Sequence, residues 1–156
     1  KKQCKLRRNE DEMIAIGSDH GGYELKESVK RYLEGKNIPY RDFGCNGRDS
    51  VDYPVYGRAA AEAVADGSCE KGIVICTTGI GISMVANKVQ GVRCALCADT
   101  FSAKMTRLHN DANVLALGGG ILGTSLALDI VETFLNTDFS GEEKHQRRID
   151  MIDGGK

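Results

Sequence analysis

Tryptophan is absent, proline occurs twice, and aromatic residues make up only 6% of the 156 residues. So few rings leave no platform on which nucleobases could stack. An excess of one charge is also lacking: 21 Lys and Arg stand against 22 Asp and Glu, a formal net charge of -1. That balance gives no electrostatic attraction to nucleic acid or to an anionic membrane surface, so neither is expected as a partner. No run approaches the ~18 apolar residues that a membrane span needs. Residues 1–12, KKQCKLRRNEDE, contain no apolar segment of the kind a secretory leader carries. They are expected to be a charged tail, disordered or added, outside a single domain over residues 13–152.

With no leader expected, the six cysteines (Cys4, Cys45, Cys69, Cys76, Cys94, Cys97) are expected to be reduced thiols of a cytoplasmic protein. Cys94 and Cys97 have a metal-like spacing. They fall in 92–98, however, which reads as a buried strand, where residues three apart face opposite sides. No metal site is expected there.

Glycine, at 19 residues, is abundant and clustered, as turns between regular elements would be. Between the clusters, short apolar runs alternate with helical stripes. Strands are expected at 13–17, 38–43, 72–76, 92–98 and 114–117. Helices are expected at 22–35, 55–65, 82–88, 101–108, 122–135 and 142–152, the first with Leu25, Val29 and Leu33 on one stripe. Five strands alternating with helices imply an α/β fold with a parallel sheet covered on both faces and right-handed crossovers.

Ligands of such sheets bind beyond the carboxyl ends of the strands. Three segments lie there: Ser18-Asp19-His20-Gly21-Gly22, Cys76-Thr77-Thr78-Gly79-Ile80-Gly81 and Gly118-Gly119-Gly120. Cys76 ends a strand and precedes a glycine turn into a helix, whose N-terminal partial charge favours a thiolate. The 77–83 segment can offer backbone N–H groups to an anion. It is neither a P-loop nor a dinucleotide fingerprint, because both spacings fail. Asp19-His20 follows the first strand and His109-Asn110-Asp111 precedes the fifth; histidine suits proton transfer near neutral pH. Lys144, His145, Arg147 and Arg148 form a basic cluster on the last helix, either a solvated face or a phosphate clamp.

Together, Ser-Asp-His-Gly-Gly at 18–22, Asp-Tyr-Pro at 52–54, Cys-x-Thr-Gly-Ile-Gly-Ile-Ser at 76–83, Ala-Asn-Lys at 86–88, Gly-Val-Arg at 91–93 and His-Asn-Asp-Ala-Asn at 109–113 resemble ribose-5-phosphate isomerase type B and the galactose-6-phosphate isomerase subunits. The likeness runs from Met13 to about Ile152. It implies a Rossmann-like three-layer α/β/α sandwich with a five-stranded parallel sheet. It also implies a metal-free, cofactor-free aldose–ketose isomerase acting through an enediolate, most simply on ribose 5-phosphate. By the same resemblance Cys76 is the base between C1 and C2, His109 the ring-opening acid/base helped by Asp19, and Thr78 the aid to transfer between oxygens. The backbone of Thr77, Thr78, Gly79, Ile80 and Gly81 would hold the enediolate, and Asn110 a substrate hydroxyl. Tyr53 and Gly120 are placed at the substrate, while His20, Lys144 and Arg148 would meet the phosphate. The last basic residues would come from a second subunit, so a homodimer with interfacial sites, or a tetramer built from it, is implied.

Three positions depart from the family pattern. Thr77 stands where Gly is usual, Gly120 where Arg is frequent, and Lys144 where Arg is usual. They leave open another sugar phosphate, allose or galactose 6-phosphate, or a non-catalytic sugar-phosphate subunit. A flavodoxin-like electron carrier is the rival at the level of fold alone.

Overall fold

The computed structural model describes residues 12–154, so most of the charged tail, with Cys4, lies outside the described residues. The chain alternates as the apolar runs demand. β1 (Ile14–Ser18) passes through a short 3-10 turn (His20–Gly22) into α1 (Tyr23–Gly35), then come β2 (Tyr40–Asp42), α2 (Tyr53–Ala65), β3 (Lys71–Cys76) and α3 (Ile80–Asn87). β4 (Cys94–Leu96), α4 (Thr100–Asn110), β5 (Val114–Gly118), α5 (Thr124–Asn136) and α6 (Glu143–Ile152) follow.

The strands form one sheet in the order β2-β1-β3-β5-β4, and every pairing is parallel. β1, β3 and β5 are the central strands. Their residues are buried almost throughout, since helices cover both faces. One face packs Leu25, Val29 and Leu33 of α1, Ala103 of α4, and Ile130 and Phe134 of α5 on the sheet. The other packs Ala60, Ala61 and Val64 of α2 with Ile82 and Ala86 of α3. The expected three-layer α/β/α sandwich is therefore what forms.

Several boundaries differ from those expected, each for a local reason. α2 begins at Tyr53 rather than Val55, because Pro54 has no N–H to lose in a first helical turn. α3 begins at Ile80 rather than Ile82: Gly79, at φ 78°, turns the chain in the left-handed region and serves as the N-cap, so Ile80 and Gly81 are helical. α4 runs on to Asn110 and takes in His109. The 92–98 segment is not the buried strand expected. Its three-residue core, β4, pairs only with β5 at the sheet edge, and Leu96 is 44% exposed. Cys94 and Cys97 do face opposite sides of the sheet, one packed with the α2/α3 layer and the other with α1, α4 and α5.

Candidate active site

The strand order places a crevice at Cys76. β3 leads into α3 on one face, whereas its neighbours β1 and β5 lead towards α1 and α5 on the other. Loops that part in this way open a cleft at the carboxyl ends of the strands. Register puts Ser18 opposite Ile75 and Gly118 opposite Cys76, so the three predicted segments share one rim. Backbone bonds stitch them together: Asp19 N–H donates to Ile75 O (3.2 Å), Gly119 N–H to Cys76 O (2.8 Å) and Gly120 N–H to Thr77 O (2.8 Å).

Cys76 is 4% exposed, and its sulfur accepts the Gly79 N–H at 3.1 Å. That amide belongs to the residue capping α3, so the sulfur sits against the helix's positive end. The other described cysteines differ. Burial pushes the Cys94 thiol up to about 12 and Cys97 to about 11, and raises Cys69 as well. Cys45 donates to Gly47 O. Among the described cysteines, only Cys76 receives a backbone N–H.

Around it, Thr77 and Thr78 are exposed, and Thr78 Oγ1 accepts the Ile80 N–H at 3.2 Å. The N–H groups of Gly81 and Ile82 lie in the first turn of α3, where a helix supplies no acceptor. Asp19 is 5% exposed; its Oδ1 accepts the Gly22 N–H at 3.0 Å and caps the 3-10 turn. His20 Nδ1 accepts the Val51 N–H at 3.1 Å, which leaves Nε2 to carry the proton of the neutral ring. Tyr53 leans its ring against Gly81. Asp19, His20, Tyr53, Thr77 to Gly81 and Gly120 therefore gather at the carboxyl edge with Cys76.

His109, Asn110, Lys144 and Arg148 do not. α4 starts just after β4 and ends four residues before β5, so His109 lies at the amino end of the sheet. β5 alone spans roughly 13 Å between the two edges, at ~3.3 Å per residue. At that second edge the His109 ring stacks on His145 of α6, with centroids 4.2 Å apart and planes 18° apart. His145 is buried, and burial together with nearby His109 holds its pKa below the usual histidine value. Lys144 and Arg148 are exposed on the same helix.

Two residues whose part here the sequence did not show, Arg93 of the Gly-Val-Arg motif and His145 of the basic cluster, organise this edge. Arg93 donates from Nε to Asn110 O (2.9 Å), from one terminal nitrogen to Asp111 O (3.0 Å) and from the other to Asp153 Oδ2 (2.7 Å), tying the end of α4 to the end of α6. His145 is the second. Its spacing to Ile149, one helical turn on, is the signal that both face inward.

A three-layer parallel sheet with a thiol, a glycine bend and acid/base side chains at its carboxyl edge defines a Rossmann-like α/β protein with a site for a small anionic ligand. Comparison with known proteins makes this specific. A model of the ribose/galactose isomerase family matches residues 14–152. The putative sugar phosphate isomerase YwlF of Bacillus subtilis is 50% identical over 140 residues, covering 89% of this chain and 93% of that protein. Ribose-5-phosphate isomerase B of Escherichia coli is 41% identical over 139 residues, covering 89% and 93%. The solved structure of Clostridium thermocellum ribose-5-phosphate isomerase B superposes with a TM-score of 0.89 at 51% identity, covering 91% of this chain and 95% of that one. The chain belongs to the ribose/galactose isomerase family.

Proposed function

We propose that residues 13–152 form one aldose–ketose isomerase domain that interconverts ribose 5-phosphate and ribulose 5-phosphate in the cytoplasm, as a homodimer. The observation that carries the reading is the Cys76 sulfur held at 3.1 Å from the Gly79 N–H, at the head of α3. Family membership supplies the substrate class, and the described cysteines, all free, suit a reducing compartment.

The chemistry is proton transfer, so no electron leaves the substrate. Cys76, as thiolate, takes the C2 proton of the open-chain aldose and returns it at C1. The O2 hydroxyl proton moves to O1, with Thr78 as the relay. A sugar C–H is a poor acid, and the step needs the enediolate charge to be met as it develops. The first-turn N–H groups of α3 are fixed for that task and need no reorganisation. His20 Nε2, together with Lys144 and Arg148 of the second copy, meets the phosphate, whose binding energy orients the reacting end.

His109 opens the sugar ring from the partner chain, together with Asn110, because within one chain it lies at the far edge of the sheet. Two features support a second copy. Ile80, Met84, Leu96 and Phe101 are exposed apolar side chains on α3, β4 and the start of α4, beside the Cys76 edge, and Phe101 is 70% exposed. β4 is also an edge strand; Asn87 caps its outer backbone at Cys94, and no further strand among the described residues pairs with it.

Replacement of Cys76 by Ser tests the base. Turnover of ribose 5-phosphate is expected to fall about 10²- to 10⁴-fold, the usual contribution of a positioned base, with the fold retained. Undiminished turnover would remove Cys76 from the mechanism.

A further inference from the structure

Thr77 is the branched side chain next to the proposed base, and it stands where two glycines make room for it. A Cβ on Gly21 would fall 2.0 Å from Thr77 Oγ1, and one on Gly120 would fall 2.9 Å from Thr77 Cγ2 and 3.1 Å from Thr77 O. The hydroxyl therefore faces the loop after β1, and the methyl faces the loop after β5. Neither neighbour can carry a side chain without displacing Thr77. The backbone below is equally fixed, since Gly120 N–H donates to Thr77 O at 2.8 Å. Thr77 is thus an exposed side chain set between the loops after β1 and β5, directly after Cys76 and against Gly21, the neighbour of His20.

Resting on the isomerase reading above, we infer that Thr77 sets the length of sugar phosphate that the site accepts, favouring five carbons over six. The reacting carbons must reach Cys76, while the phosphate is held towards His20. A substrate one carbon longer has to place that extra CHOH in the gap between these anchors, and the Thr77 side chain fills part of that gap. Its hydroxyl and methyl are held from both sides, so they cannot swing away at low cost. One carbon's worth of misfit in a rigid pocket discriminates about 10- to 200-fold.

The test compares kcat/KM for ribose 5-phosphate and allose 6-phosphate, which repeats the hydroxyl configuration of ribose and adds one carbon. Wild type is expected to prefer ribose 5-phosphate. Thr77→Ala removes the hydroxyl and methyl and is expected to shift the ratio at least about 10-fold towards allose 6-phosphate. Thr77→Val keeps the shape without the hydroxyl and is expected to keep the wild-type ratio. If Thr77→Ala fails to fold, Thr77→Ser, which removes only the methyl against Gly120, must shift the ratio in the same direction. A Thr77→Ala ratio within about two-fold of wild type overturns the inference. So does a Thr77→Val ratio that follows Ala, or a wild type that prefers the longer sugar. A wild type inactive on both sugars overturns the isomerase reading and this inference together, whereas an active enzyme with an unmoved ratio overturns this inference alone.

Discussion

Arg93 joins the two elements that carry the second set of proposed site residues, and its loss should be felt in both stability and turnover. Its side chain is 17% exposed and makes three charge-assisted bonds, to the carbonyls of Asn110 and Asp111 and to the Asp153 carboxylate. Hydrogen bonds to charged groups contribute about 1.5–3 kcal/mol each when buried. These acceptors lie near the surface and can rehydrate, so the three are not additive, and Arg93→Met is expected to cost about 2–4 kcal/mol in all. For a chain of this length each kcal/mol moves the melting temperature by about 2–4 °C, giving a fall of roughly 5–15 °C at fixed protein concentration. The end of α4 carries His109 and Asn110, so the surviving folded enzyme should also lose kcat, measured well below its melting point. Arg93→Lys can keep the Asp153 ion pair but not the fork to two carbonyls, and should recover only part of both losses. A melting temperature and kcat both unchanged in Arg93→Met would refute the clamp.

The His145 stack predicts a pH dependence of stability. The folded chain holds His145 below its usual value of 6.5, through burial and then through His109. The unfolded chain therefore takes up a proton near that value which the folded chain refuses, and stability falls as pH drops below about 6.5. His145→Phe keeps a ring against His109 without the proton. Its unfolding midpoint should lose less between pH 7 and pH 5 than that of wild type, and equal losses would contradict the assignment. Lys26 offers a test of the fold itself. It is fully buried on α1, with its ammonium 2.7 Å from Asp42 Oδ1 and 2.5 Å from Cys45 O. Lys26→Ala leaves the Cys45 carbonyl without its buried donor, while Asp42 keeps Lys30 and the Gly44 N–H, and should cost about 1–3 kcal/mol by denaturant unfolding.

The apolar runs at Ile14, Ile73 and Val114 and the stripe of Leu25, Val29 and Leu33 placed the sheet and its covering helices, because burial imposes those periods on the sequence. Edges were less legible. β2 and β4 are three residues each, and the 92–98 run looked buried although Leu96 stands open to solvent. A run of apolar residues does not say what covers it. Cys76, Asp19 and His20 were readable as one rim, since each follows a strand that the pattern had already placed. That His109 sits at the opposite edge follows from its position before β5, but its stack on His145 does not. The two are 36 positions apart, and local spacing carries no information about such a contact. Thr77 and Gly120 read in the sequence as two separate departures from the family pattern. Only coordinates show that the Thr77 methyl occupies the space beside Gly120.

The central claim is that Cys76 of one chain works with His109 of another. Cys76→Ala and His109→Ala chains, each inactive alone, can be unfolded together in equal amounts and refolded. Random pairing makes about half the dimers mixed, each with one intact site, so about a quarter of wild-type turnover should return. If the mixture stays as inactive as its parents, the two residues do not meet across an interface and the proposed site is wrong.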